Sequence, residues 1–226
     1  RFVSGSAVGY YGNRGDEPLT ESSAPGEGFL TDVVLAWEAS AAPAVDAGAS
    51  VALARTGIVL ARQGGAMERL LQLARFGLAG PLGSGKQYWP WITLDDEVGA
   101  LLHLLDRDDL TGPVNLSAPE PARQRDIVAA IGRALNRPAV LPAPSPALRI
   151  VLGEFATEIL GSQRIVGEFL AGLFDGVITV DPHLHRISSL AEAIPVPHAV
   201  ALSGAGLLAD PRVATGATGD QRRALL

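Results

Sequence analysis

Apolar runs of strand length alternate along this chain with longer segments of helical period. Residues 1–6 predict a strand, and residues 12–28 a polar loop. Within residues 29–46, apolar positions recur at three- and four-residue steps, which predicts a helix that Pro43 bends or ends early. Residues 50–60 and 66–78 predict the next strand and helix.

The alternation continues through the second half of the chain. Residues 88–96 predict a short strand that leads into a helix reaching residue 105, with Asp95 as its N-cap. The later predictions are strands at 112–117, 176–180 and 199–203, helices at 124–135, 151–160 and 165–173, and a frayed end over 211–226. This order predicts an α/β fold with a largely parallel sheet.

Composition narrows the classes of partner. The chain has 226 residues, 47% of them apolar, which is enough to form a buried core. A net charge of -6 without a basic cluster argues against nucleic-acid and membrane partners and leaves a small-molecule substrate or a protein. The absence of cysteine excludes disulfides and thiolate metal sites. Without a signal peptide or an apolar run of membrane length, the sequence predicts a cytoplasmic protein.

Several short motifs occur in the same order as in one enzyme family. They are Phe2-Val3-Ser4-Gly5-Ser6-Ala7-Val8-Gly9-Tyr10-Tyr11-Gly12, Trp37-Glu38, Arg55-Thr56-Gly57-Ile58-Val59-Leu60, Gly80-Pro81-Leu82-Gly83-Ser84-Gly85, Trp91-Ile92-Thr93-Leu94-Asp95-Asp96 and Gly112-Pro113-Val114-Asn115-Leu116-Ser117. Residues 1–161 thereby resemble the C-terminal part of atypical extended short-chain dehydrogenases/reductases, the NAD(P)-dependent epimerase-like proteins. The resemblance implies a truncated Rossmann-like, doubly wound parallel sheet and an NAD or NADP cofactor.

The resemblance also implies roles for individual residues. Ser6 matches the serine that hydrogen-bonds the substrate carbonyl or hydroxyl, although a serine ending a strand also fits a role in bonding the backbone. Thr56, Gly57 and Ile58 match the segment that passes the nicotinamide. The family's tyrosine and lysine have no counterpart in the matching residues 29–33, and no Gly-rich dinucleotide turn is present. We therefore expect this fragment to be inactive, either part of an epimerase or oxidoreductase of unknown substrate or a non-catalytic nucleotide- or protein-binding module.

The loop of residues 80–86 is predicted to lie on the substrate side of the site. It contributes Gly83 and Ser84, with Trp91 beside them, and it carries Lys86, the only lysine of the chain. It lacks the order of residues of a phosphate-binding P-loop, and a loop of this composition is more often an ordinary turn. Trp91 lies in a predicted strand, where aromatic side chains commonly belong to the core.

The last part of the chain resembles a second family. Residues 162–210 resemble ribose-phosphate pyrophosphokinases, and His183 in Asp181-Pro182-His183 matches the histidine of their Mg-ATP site. The predicted domains are residues 1–137 (the Rossmann-like part), 138–161 (the helical segment of the epimerase family) and 162–226 (a pyrophosphokinase-like α/β appendage with a disordered tail). A fusion at the shared Ser-Gln-Arg string near residues 161–165 would explain both resemblances.

The first strand carries one further expectation. Nothing precedes residues 1–6 to pair with them, although an apolar strand needs neighbours for its backbone groups. We expect a sheet that lacks its first strands and leaves an edge through which two copies form a homodimer.

Overall fold

Three parallel strands form the central sheet of this protein. The computed structural model describes residues 1–61, 65–153 and 155–166. The strands β1 (Phe2–Ala7), β3 (Val51–Thr56) and β7 (Gly112–Leu116) are ordered β1-β3-β7. Both pairings are parallel, which confirms the predicted α/β fold.

Helices and short ladders surround this sheet. The helices are α1 (Phe29–Ser40), α2 (Ala42–Asp46), α3 (Gly65–Arg75), α4 (Leu94–Asp106), α5 (Gln124–Ala134), α6 (Ser145–Leu152) and α7 (Phe155–Leu160). The remaining strands are β2 (Pro18–Leu19), β4 (Ile58–Leu60), β5 (Tyr88–Trp89), β6 (Trp91–Thr93), β8 (Ala122–Arg123) and β9 (Arg164–Ile165). A 3₁₀ helix, Val8–Tyr11, follows β1 directly.

The two faces of the central sheet differ in chemistry. On the α4 side, apolar residues of β3, β7 and α4 form a buried cluster that includes Ala54, Leu104 and Leu116. On the α1 side, β3 presents Arg55 instead, which is 3% exposed and pairs with Glu38 of α1. Because side chains alternate along a strand, Ala54 and Arg55 necessarily face opposite ways.

The helix predicted over residues 29–46 is two helices in the structure. The break falls at Ala41, and Pro43 occupies the first turn of α2, where its missing N–H removes no helical hydrogen bond. The predicted apolar face is also only partly buried: Val34 is 2% exposed, whereas Phe29 is 76% and Trp37 52% exposed. Periodicity located the helix correctly, but not the side that packs on the sheet.

The strand predicted over residues 50–60 is likewise divided, at Gly57. β3 pairs with β1 and β7, whereas β4 pairs in parallel with β6. A Cβ at Gly57 would lie 2.8 Å from the Pro90 carbonyl oxygen and 3.2 Å from that of Leu116. Only glycine therefore allows the chain to pass between these two carbonyls as it leaves one sheet and enters the other.

The N-cap of α4 is Thr93, and the prediction of Asp95 is wrong. The Thr93 hydroxyl accepts a hydrogen bond of 3.1 Å from the Asp96 N–H, and Thr93 has the extended backbone of a cap. Asp95 lies inside the first turn, where a negative charge favours the helix dipole.

Residues 162–165 pack against residues near the amino-terminal end of the sequence and against Tyr88. Ser162 donates its hydroxyl to the Gly15 carbonyl at 2.6 Å and accepts the Tyr88 N–H at 3.0 Å. β9 pairs in parallel with β2, and Ile165 is 1% exposed beside Tyr11 and Leu19. The predicted helix from residue 165 is thus wrong at its start, since Ile165 belongs to a strand, and its remainder lies outside the described residues.

Candidate functional site

Ser6, Arg55 and Asn115 form one row across the carboxyl-terminal ends of the three central strands. The strand register aligns Ser6 with Arg55 and Arg55 with Asn115. All three are buried, with exposures of 7%, 3% and 0%. Polar groups at this depth need hydrogen-bond partners, and those partners come from α1 and from the segment that follows β1.

Glu38 of α1 is the acceptor at the centre of this row. Its carboxylate accepts the Ser6 hydroxyl at 2.7 Å and two N–H groups of Arg55, at 2.8 and 2.9 Å. Burial alone would raise the pKa of Glu38, but the hydrogen bonds from Arg55 and Ser6 lower it below the usual range. Glu38 is therefore a carboxylate at neutral pH, and Ser6 is its hydrogen-bond donor.

Two tyrosines complete the environment of Arg55. The guanidinium carbon lies 3.4 Å from the centre of the Tyr10 ring, and one guanidinium N–H donates to the Tyr11 hydroxyl at 3.0 Å. Tyr11 in turn donates to the Asn115 side-chain oxygen at 2.7 Å. Burial raises the pKa of Tyr11 despite the neighbouring guanidinium, and Tyr11 is fully buried. Tyr11 consequently stabilises the cluster and is not placed to exchange protons with a ligand.

Thr56 ends β3 next to Ala7, but its side chain faces the other side of the sheet. Its hydroxyl donates to Glu97 of α4 at 2.7 Å. Glu97 is 7% exposed, and burial raises its pKa, with the bond from Thr56 opposing part of the rise. Ser6 and Thr56 thus lie at neighbouring strand ends, and they donate to two glutamates on opposite faces of the sheet, half-buried Glu38 and buried Glu97.

The other predicted cofactor and substrate residues have mixed positions. Gly57 lies in the narrow passage between β3 and β4, and Ile58 is half-buried opposite Trp91 in the β4–β6 ladder. Gly83 donates its N–H to the Ala143 carbonyl at 2.8 Å and so contacts the segment after α5. Ser84 is exposed at the tip of the same loop.

Trp91 is a core residue by its burial. It is 4% exposed and packs with residues of α3 and α5, and its indole N–H has no hydrogen-bond partner among the described residues. Ser6 and Thr56 share one edge of the central sheet, whereas Trp91 is buried in a separate hydrophobic cluster and the loop of residues 80–86 packs on the α5–α6 connection. Whether Gly83, Ser84 and Trp91 contact a substrate stays a prediction.

Sequence reasoning assigned no role to the two glutamates. Glu38 appeared only in the motif Trp37-Glu38, and Glu97 lies just after the motif that ends at Asp96. A glutamate in a helix ordinarily belongs to the solvated face. A signal existed in Trp37-Glu38, because Glu38 lies one turn after Val34 on the face that packs on the sheet. No comparable signal singles out Glu97 within Asp95-Asp96-Glu97.

Curated relatives of this chain are epimerase family proteins. The chain is 46% identical over 166 residues to the epimerase family protein ML0860 of Mycobacterium leprae, covering 73% of this chain and 54% of the relative. It is 38% identical over 165 residues to the chloroplastic SDR39U1 homolog of Arabidopsis thaliana, covering 73% and 47%. The chain therefore spans about half the length of the curated relatives it matches.

Solved structures show the same similarity. The human epimerase family protein SDR39U1, crystallised with NADPH, superimposes with a TM-score of 0.76 at 33% identity, over 85% of this chain and 65% of that one. These similarities support the assignment of this chain to the epimerase family. A nucleoside-diphosphate sugar epimerase from Corynebacterium glutamicum superimposes with a TM-score of 0.53 at 30% identity, over 99% and 46% of the two chains. No protein-family model matches this chain.

The comparisons lend support only to the epimerase-like reading. Of the segment likened to pyrophosphokinases, residues 162–166 are described, and they pack on the epimerase-like part. His183, with its predicted Mg-ATP site, lies outside the described residues. In the part of the chain that the structure covers, none of the helices is long and apolar enough to cross a membrane.

Proposed function

We propose that this chain forms the carboxyl-terminal part of an NAD(P)-dependent epimerase or oxidoreductase acting on a small molecule. The observation that carries the proposal is that Ser6 and Thr56 lie at the carboxyl ends of two adjacent parallel strands. In open α/β sheets, ligands bind in the crevice outside these strand ends. Epimerase-family similarity over 166 residues adds support.

Two hydroxyl groups at this edge support the placement of a nicotinamide ring there. Thr56 is half-buried and holds a hydroxyl at the sheet edge, and Ser6 offers a second hydroxyl one strand away. A bound dinucleotide would supply hydride transfer, while Ser6 would orient the reacting oxygen of the substrate and Thr56 would contact the nicotinamide. Glu38, fixed by Arg55, would hold Ser6 in place during the reaction.

The test uses the full-length protein, since the present chain spans about half of its relatives. Titration with NADPH and NADH measures cofactor binding, and loss of the reduced-nicotinamide absorbance with a panel of aldehydes and ketones measures hydride transfer. Ser6→Ala should reduce turnover while leaving the cofactor dissociation constant unchanged, because Ser6 is assigned to the substrate. Ser4→Ala is the matched control on the same strand, where the serine hydroxyl donates to the neighbouring Gly5 carbonyl at 3.4 Å.

Two outcomes would contradict the proposal in different ways. Absence of binding of either dinucleotide to the full-length protein would remove the cofactor assignment. Tight binding without turnover on the panel, combined with identical behaviour of Ser6→Ala and wild type, would instead favour a nucleotide-binding module without catalysis.

A further inference from the structure

The hydroxyl groups of Ser6 and Thr56 both donate to a glutamate, but the two glutamates have different charged neighbours. Ser6 and Thr56 each donate to the carboxyl group of a glutamate at 2.7 Å. Glu38, which accepts the Ser6 hydroxyl, forms a bidentate ion pair with Arg55 that balances its charge. No salt bridge to Glu97 is found among the described residues, and its second oxygen, Oε2, has no hydrogen-bond partner there.

Such an arrangement is costly if its only role is stability. A carboxyl group that is 7% exposed and makes one hydrogen bond loses most of its hydration without full compensation. An apolar side chain of similar size would fill the same space between α4 and β3 without that cost. The carboxyl group of Glu97 therefore calls for an explanation in what it does to Thr56.

The bond to Glu97 fixes the direction of the Thr56 hydroxyl. A hydroxyl has one proton and two lone pairs, and here the proton points at Glu97. The alternative acceptor, the Ala54 carbonyl, lies 3.4 Å away and offers a much weaker bond. With its proton committed, Thr56 can only accept a hydrogen bond from a ligand at the sheet edge.

We propose that Glu97 is a positioning residue that holds Thr56 as a hydrogen-bond acceptor for the carboxamide NH₂ group of a bound nicotinamide. This inference rests on the proposed function, because it takes the nicotinamide to lie at the edge formed by Ser6 and Thr56. It assigns to Glu97 a role in recognising the amide, whereas Glu38 acts on the substrate side. Removing the carboxyl group frees the Thr56 proton, and the hydroxyl then loses its fixed orientation.

The experiment compares two dinucleotides on the full-length protein. NADP⁺ carries the carboxamide, and its 3-acetylpyridine analogue replaces the NH₂ by a methyl group, so it cannot donate. Wild type should bind NADP⁺ about fivefold more tightly than the analogue, the equilibrium factor of one neutral hydrogen bond. Thr56→Val should bring the ratio of dissociation constants to about one, and Thr56→Ser should preserve it.

Glu97 variants then separate positioning from packing. Glu97→Gln keeps an oxygen that accepts from Thr56 and should retain the preference. Glu97→Leu should bring the ratio of dissociation constants closer to one, because a freely rotating hydroxyl accepts from the amide in only part of its orientations. General damage to the fold weakens both dinucleotides together and leaves their ratio unchanged. If Glu97→Leu does not fold, Glu97→Met takes its place, because it is unbranched and adapts to the same space.

Each result decides between the claims. A preference for NADP⁺ that is undiminished in Glu97→Leu or Glu97→Met would overturn the role of Glu97. A wild-type ratio near one would overturn the contact between Thr56 and the amide, while leaving the proposed function intact. Failure of wild type to bind either dinucleotide would refute the proposed function, and the inference with it.

Discussion

Removal of Arg55 tests the buried ion pair at the centre of the site. In Arg55→Met the guanidinium is lost but much of the side-chain volume remains. Glu38 would then be a carboxylate with 11% side-chain exposure and Ser6 as its one remaining donor from this cluster. Truncating one partner of a buried pair typically costs about 3–5 kcal/mol. Loss of the contacts with Tyr10 and Tyr11 lowers the stability of the variant further.

The assay is equilibrium unfolding in urea, followed by tryptophan fluorescence. With a urea slope of about 2 kcal/mol per M, a loss of about 4 kcal/mol lowers the unfolding midpoint by about 2 M. Arg107→Met is the matched control, since Arg107 pairs with Asp109 through two bonds of 2.7 and 2.6 Å on the surface. An exposed pair of this kind is worth about 0–1 kcal/mol.

The result that would refute this reasoning is a similar midpoint shift for both variants. A second check is the double variant Arg55→Met with Glu38→Met, which removes both charges. It should recover most of the stability lost in the single variant, because no unpaired buried charge is left. If the double variant is as unstable as Arg55→Met alone, the loss arises from packing and not from the stranded carboxylate.

Three further predictions concern stability. Gly57→Ala should lower the thermal midpoint of unfolding, because its Cβ would press on two carbonyl oxygens. Gly99→Ala, at a helical site with open space, should gain up to about 1 kcal/mol of stability. Equal shifts in the two variants would contradict the close approach at Gly57. The pKa of Glu38 is lowered by folding, so its stabilisation is present above the pKa of an unfolded glutamate and is lost as the pH falls through the folded value. Glu38→Gln should therefore flatten the acid side of the stability curve, and an unchanged acid limb would exclude this assignment. Ser162→Ala should cost about 1–3 kcal/mol in chemical unfolding, since it removes two hydrogen bonds and leaves the Gly15 carbonyl and the Tyr88 N–H without this partner. Ser84→Ala, at an exposed loop tip, should cost less, and equal losses would argue against the docking of residues 162–165.

The order and type of the main elements followed from the sequence alone. Segments of helical length and period predict α4 and α5, and short apolar runs of strand length predict β3 and β7. Alternation of these elements is enough to predict a parallel sheet, since parallel strands need crossover connections. The family resemblance, which depends on motif order, also came from the sequence.

The division of elements required the tertiary structure. Gly57 separates β3 from β4 because carbonyls of residues 90 and 116 approach it from distant parts of the chain. Thr93 caps α4 because the chain turns there, and the neighbouring aspartates fit the motif of a cap equally well by residue type. Phe29 and Trp37 are exposed because α1 turns another part of its surface to the sheet.

The candidate site was likewise predicted in part from the sequence and decided in part by the tertiary structure. The resemblance to the epimerase-like family predicted Ser6 and Thr56 as site residues, because the motifs that contain them are local features of the sequence. Only the tertiary structure shows that Glu38 accepts a hydrogen bond from Ser6 on one face of the sheet, and Glu97 from Thr56 on the other. These partners lie 32 and 41 residues apart in the chain. Hydrogen-bond partners so far apart in sequence are set by strand register and helix packing, which no local pattern contains.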